Sequence, residues 1–209
     1  MKKLSKLTVI TTILTLLPIV LGAALYSRLP DTVVTHWGFN NEPNGWSPKW
    51  MACFGIPLIM AAINFVLSVV ADKEETAVKT SNTAMNIARW TVPVLSMLLV
   101  PMMLFSALGV PFDVEKIASA IVSLLLIVIG NYLPKCRRNK YVGIRLPWTL
   151  KSDENWDKTH RLSGYVWMLG GLIMVIVTWI GRPQITLIVL LAIILIPTVY
   201  SFILHRRGV

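Results

Sequence analysis

Six stretches without a single Asp, Glu, Lys or Arg divide this chain: residues 7–26, 51–71, 91–110, 117–133, 164–180 and 185–204. Each holds 17 to 21 residues, which at a rise of about 1.5 Å per residue covers most or all of a ~30 Å hydrocarbon core. Composition agrees, since 55% of the 209 residues are hydrophobic and 14% charged, against ~25% charged in soluble domains. A β-barrel would show alternating segments of ~10 residues, and none of these blocks alternates. Two cysteines, Cys53 and Cys136, cannot build a disulfide framework. The expectation is an all-α polytopic membrane helix bundle of six transmembrane helices, a single membrane domain over residues 1–209. Pro18, Pro57, Pro93, Pro101 and Pro197 fall inside the blocks, where lipid tolerates them and kinks are expected. The basic start at Lys2 and Lys3, with Gly22-Ala23-Ala24 after an apolar run, has the outline of a secretory signal. Its apolar run exceeds a signal core, so it reads as the first span.

Basic residues set the orientation, because they stay on the cytoplasmic side. With the N-terminus inside, sixteen fall on the inner face: Lys2, Lys3, Lys6, Lys73, Lys79, Arg89, Lys135, Arg137, Arg138, Lys140, Arg145, Lys151, Lys158, Arg161, Arg206 and Arg207. Only Arg28, Lys49, Lys116 and Arg182 fall outside, where Asp31, Glu42, Asp113 and Glu115 cancel them. Both termini are therefore expected to be cytoplasmic. The excess of +10 reads as topogenic and facing anionic membrane lipids. No basic block carries a nucleic-acid-binding motif, so direct nucleic-acid binding is not expected.

Within the spans there is no ionisable side chain to serve as a proton relay or coupling-ion site, which argues against a secondary transporter. Asn64 reads as a helix-to-helix hydrogen bond and the Thr8, Thr11, Thr12, Thr15 stripe as packing. Chemistry is left to the two long connections. The outer one, 27–50, has turn-forming Pro, Asn and Gly, and its Trp37, Trp46 and Trp50 suit a membrane surface. His36 is its one histidine; even with Glu42 nearby it lacks a second strong ligand, so no metal and no cofactor is expected.

The inner connection, 134–163, breaks at Pro147. Ser152, followed by Asp153 and Glu154, predicts a helix N-cap with an acidic first turn. A helix starting there runs into the fifth span and sets Trp156, His160, Gly164 and Trp167 on one face, read as an amphipathic entry helix with Trp156 at the interface, or as a partner surface. Asp153, Glu154, Asp157 and His160 are helical neighbours that read as solvated rather than catalytic, and no nucleophile motif accompanies them.

Two segments carry a resemblance. Gly130-Asn131-Tyr132-Leu133-Pro134-Lys135, then Asn139-Lys140-Tyr141-Val142-Gly143-Ile144-Arg145-Leu146-Pro147-Trp148-Thr149-Leu150, with Trp156 and Thr159-His160-Arg161, resemble the signature of the SdpI family of bacterial immunity proteins. Leu29-Pro30-Asp31, His36-Trp37, Gly45-Trp46 and Lys49 resemble the N-terminal domain of unknown function that precedes it, with Val33-Val34 where an Ile-Pro pair is expected. The resemblance assigns 1–71 to that domain and 117–204 to the SdpI signature. It implies a six-span plasma-membrane protein of a Gram-positive-type bacterium that protects its producer from a secreted antimicrobial peptide toxin. It also implies that the founding type can capture a cytoplasmic transcriptional repressor.

The candidate partner- or substrate-binding residues are Asn131, Lys135, Asn139, Gly143, Ile144, Arg145, Pro147, Trp148, Thr149, Trp156 and His160, with Pro30, His36, Trp37 and Trp46 in the extracellular loop. Two function classes fit. One is a non-enzymatic receptor for a membrane-active peptide. The other is a membrane enzyme acting on a lipid or peptide at the cytoplasmic interface through Arg145, Trp148 and His160. Tyr26 to Pro30 and Tyr132-Leu133-Pro134 each end a span before a Trp-containing connection, a short match that would make the two halves inverted repeats of three spans.

Overall fold

A computed structural model describes residues 4–38, 41–78, 83–139, 142–181 and 183–209. Lys2, Lys3, Lys79, Lys140, Tyr141 and Arg182 lie outside the described residues. The elements are α1 (Lys6–Leu16), α2 (Pro18–Leu25), β1 (Thr32–Trp37), β2 (Pro43–Pro48), α3 (Ile56–Val78), α4 (Thr83–Ala107), α5 (Val114–Tyr132), α6 (Asp153–Trp179) and α7 (Pro183–Arg206). Among the described residues, six helices are long and apolar enough to cross a membrane, with α1 and α2 together forming the first. The fold is the expected all-α polytopic bundle. Its side chains are distributed as lipid demands: Val20, Val66, Leu124, Ile188 and Trp179 are exposed, while Thr8, Thr11, Thr15, Asn64, Ser123 and Ser163 are buried. In lipid apolar burial drives nothing, so interiors take small and hydrogen-bonding residues.

The chain packs as two compact units. The first holds α1 to α3, the hairpin and α4 from Asn86 on. Its apolar core gathers Leu29, Val33, Ala52, Cys53, Val100, Met103 and Leu104. The 27–50 connection, expected as turns, contains a two-stranded antiparallel hairpin instead. Val33 pairs with Ser47 and Val34 with Trp46, and the register slips on either side of His36. The β-branched run Thr32-Val33-Val34-Thr35 favours this extended form, and burying Val33 in the core fixes its face. Asn41, in the hairpin's turn at φ 57, accepts from the backbone N–H of Val114 at 2.9 Å and so caps the start of α5.

The second unit holds α5 from Lys116 on, α6 and α7. Its core centres on Leu126, Met174, Val189 and Ile193. Helices α5 and α6 approach closely: a Cβ on Gly164 would lie 2.6 Å from the Pro134 ring and 2.8 Å from the Gly130 carbonyl oxygen. Ser152 caps α6 as expected, its hydroxyl accepting from the Asn155 N–H at 3.2 Å.

The prolines act unequally. Pro18 divides α1 from α2, whereas Pro93, Pro101 and Pro197 stay within continuous helices. Ahead of Pro57, residues Met51–Gly55 widen into a π-turn, with the Ile56 N–H bonding to the Met51 carbonyl. A proline removes the N–H that would bond the carbonyl four residues earlier. In two cases a side chain replaces it. The Trp167 indole N–H donates to Ile193, the carbonyl orphaned by Pro197, at 3.1 Å. The Asn64 amide lies 2.9 Å from the carbonyl of Arg89, orphaned by Pro93.

Candidate functional site

Between α5 and α6 the connection folds back on itself through its own side chains. The chain leaves α5 by a 3-10 turn at Leu133–Lys135. Asn139 then staples the turn, its Oδ1 accepting from the Val142 N–H at 2.7 Å while its Nδ2 donates to the carbonyls of Arg137 and Val142. Thr149, fully buried, closes a second turn: its hydroxyl accepts from the Leu146 N–H at 2.9 Å and donates to the Ile144 carbonyl at 2.8 Å.

Trp156 and His160 form the floor under this loop. Their rings stack with centroids 4.0 Å apart, and both are buried. Trp156 is thus interior and not an interfacial anchor, because its indole N–H donates to the Cys136 carbonyl at 2.7 Å. Both His160 nitrogens are engaged. Nδ1 lies 2.8 Å from the Trp156 carbonyl, and Nε2 faces the backbone N–H of Ile144 at 3.0 Å. Only a neutral ring with the proton on Nδ1 satisfies both. Above it sits Gly143 at φ +118, where a Cβ would come 2.4 Å from His160 Nε2, so only glycine fits.

The loop is also tied to α7. Trp148 donates to Ser201 Oγ at 3.0 Å and stacks on His205. Asn155 donates to the Ser201 carbonyl at 3.1 Å and accepts from Thr159. At the edge, Arg138 pairs with Asp153 and Lys158 with Glu154 at 2.7 Å. The carboxylates of Asp153 and Glu154 are therefore held in surface ion pairs. Burial pushes the Cys136 thiol above its ordinary pKa, with a smaller opposing pull from Asn139.

Of the candidates, the structure brings Asn139, Gly143, Ile144, Trp148, Thr149, Trp156 and His160 together as one interlocked cap. Asn131, Lys135, Arg145 and Pro147 are exposed, Lys135 over the Tyr132 ring at 4.9 Å. Sequence reasoning missed Cys136, Asn155 and Ser201. A signal was present, since Asn155, Thr159 and Ser163 recur every four residues and line one buried face of α6.

In the hairpin, Pro30, His36 and Trp46 are exposed and Trp37 is half-buried against the first unit's core. His36 Nδ1 is hydrogen-bonded to Asn44 Oδ1. Among the described residues no three His, Cys, Asp or Glu side chains gather as a metal site.

Residues 135–201 match the model of the SdpI/YfhL protein family and residues 13–61 that of a domain of unknown function, DUF1648. The chain is 24% identical over 205 residues to the immunity protein SdpI of Bacillus subtilis (strain 168), with 97% of each chain covered. No solved structure gives a significant match. The interlocked cap falls within the first matched region and the hairpin within the second; with six helices long and apolar enough to cross a membrane, the chain is a multi-pass membrane protein that carries a region matching the SdpI/YfhL family.

Proposed function

We propose that this protein confers immunity at the membrane against a secreted antimicrobial peptide. The observation that carries this reading is the end-to-end similarity to an immunity protein, including both the hairpin and the cap. On this reading the hairpin, with exposed His36 and Trp46, faces the toxin. The cap faces the cytoplasm and offers a repressor its exposed residues, Arg145, Pro147, Lys135 and Asn131. Trp156, His160, Thr149 and Gly143 act by shaping that surface. An enzymatic reading through Arg145, Trp148 and His160 finds less support, because both His160 nitrogens and the Trp148 indole N–H are already bonded within the fold.

The test is complementation. Bacillus subtilis lacking its own immunity protein SdpI, and expressing this chain instead, should survive exposure to the killing peptide of a wild-type neighbour. Death at normal membrane levels of the protein would reject the reading for that peptide class. Arg145→Lys probes the second role. Arg presents a fixed fork of donors where Lys offers a point charge, so capture of a repressor should weaken by about 1 to 3 kcal/mol while survival is retained. Equal loss of both would place the cap in the protective machinery itself.

A further inference from the structure

The first unit carries a polar seam that the immunity reading does not use. On α3, Asn64, Ser68 and Asp72 recur every four residues and share one face. Against them lie Thr8 and Thr11 of α1 and Arg89 of α4. Two cross-helix ties bracket the seam. At one end Thr8 Oγ1 donates to Asp72 at 2.7 Å, and the Arg89 guanidinium holds the same carboxylate at 2.8 Å. At the other, the Asn64 amide meets Thr11 Oγ1 at 3.1 Å and the Arg89 carbonyl at 2.9 Å. Because Pro93 leaves that carbonyl without its helical donor, the amide N–H belongs there and the amide oxygen faces Thr11.

Ser68 sits between these ties, fully buried, and its hydroxyl has no partner among the described residues. That is anomalous for this protein. Hydroxyls in membrane helices ordinarily donate to the carbonyl four residues back, as Thr12, Thr15, Thr91, Ser123, Ser163, Thr178 and Thr198 all do here. A buried donor left unmade is costly, and one turn to either side stand the polar groups of Asn64 and Asp72.

We propose that Ser68 is the seat of an internal water, bound within the helix bundle between the Asn64–Thr11 and Asp72–Thr8 ties. The water satisfies the Ser68 hydroxyl and draws its remaining bonds from the neighbouring seam groups, as buried waters do with two to four polar partners. The seam is then hydrated along the whole turn between the two ties, although it lies among apolar helices.

Magnetization transfer from water, read by solid-state NMR on the isotopically labelled full chain in lipid bilayers, tests this. Signals of Ser68 and Asn64 should grow several-fold faster than those of Ile63 and Leu67, which are exposed on α3's apolar surface. Growth at Ser68 as slow as at Leu67 would overturn the proposal. Ser68→Ala provides the second arm. With a seated water, its removal slows growth at Asn64 and lowers the thermal midpoint in lipid. A dry site would leave Asn64 unchanged and hold or raise the midpoint, since only an orphaned hydroxyl is lost, and that result also overturns the proposal.

Discussion

Gly143 is the position where a single atom has the largest expected effect. Its φ of +118 excludes a side chain, and a Cβ would press into His160 and Trp156. Gly143→Ala should destabilise the second unit by roughly 2 to 4 kcal/mol, as strain and overpacking add, measured as a drop in unfolding midpoint in lipid or detergent. Cys136 gives a pH signature. Its folded thiol ionises above the ordinary 9.0, so at alkaline pH the unfolded chain loses this proton first. Linkage then makes its contribution to stability constant below about pH 9 and falling as pH rises through and beyond that value. A maleimide should react slowly with Cys136 in native membranes at neutral pH and quickly after unfolding. Rapid native labelling would contradict the buried geometry.

At the scale of elements, the helices run on through Pro93 and Pro197, and there other helices lend donors to the orphaned carbonyls. The clearest case is Trp167 on α6, whose indole serves the Ile193 carbonyl of α7. Trp167→Phe keeps an aromatic ring but removes the donor, and should cost about 1 to 3 kcal/mol, the penalty for a buried unsatisfied carbonyl. Pro197→Ala restores the backbone N–H. In that background the Trp167→Phe cost should shrink, and a double-mutant cycle on unfolding midpoints reads the difference. Additive effects would mean that the indole contributes packing alone. The long charge-free blocks made the helices legible, and Ser152 with its acidic neighbours marked the start of α6. Neither pattern says which donor answers which proline, because Trp167 and Ile193 are 26 residues apart in the chain.

For the whole molecule, the sixteen-to-four distribution of basic residues argues that both termini and the cap are cytoplasmic and the hairpin external. Single cysteines at two exposed positions, Glu42 on the hairpin and Lys151 beside the cap, test it. A membrane-impermeant thiol reagent applied to intact cells should modify the first and spare the second. Native Cys53 and Cys136 are both buried and should contribute little background. The reverse labelling pattern would invert the topology, and with it the proposed division between a toxin face and a repressor face.

Much of this architecture is written in one dimension. A span is a local property: some twenty consecutive residues either can or cannot replace their water-bonded backbone partners with helical ones in lipid, and each block answers that question alone. The hairpin was half legible, its β-branched run being local and its register depending on Val33 finding the core. The candidate site was legible as a string of residue types but not as a structure. Arg145 and His160, grouped together in the enzymatic reading, differ in kind: one side chain is exposed, the other is buried beneath Gly143. Only tertiary contacts decide that, because whether a polar group in a membrane protein is interior depends on a partner from another segment that satisfies it. His160 has the Ile144 N–H, Trp156 the Cys136 carbonyl and Asn64 the Arg89 carbonyl. Each such pair joins residues far apart in sequence, so hydropathy fixes the number of crossings while hydrogen-bond complementarity decides what lies inside them.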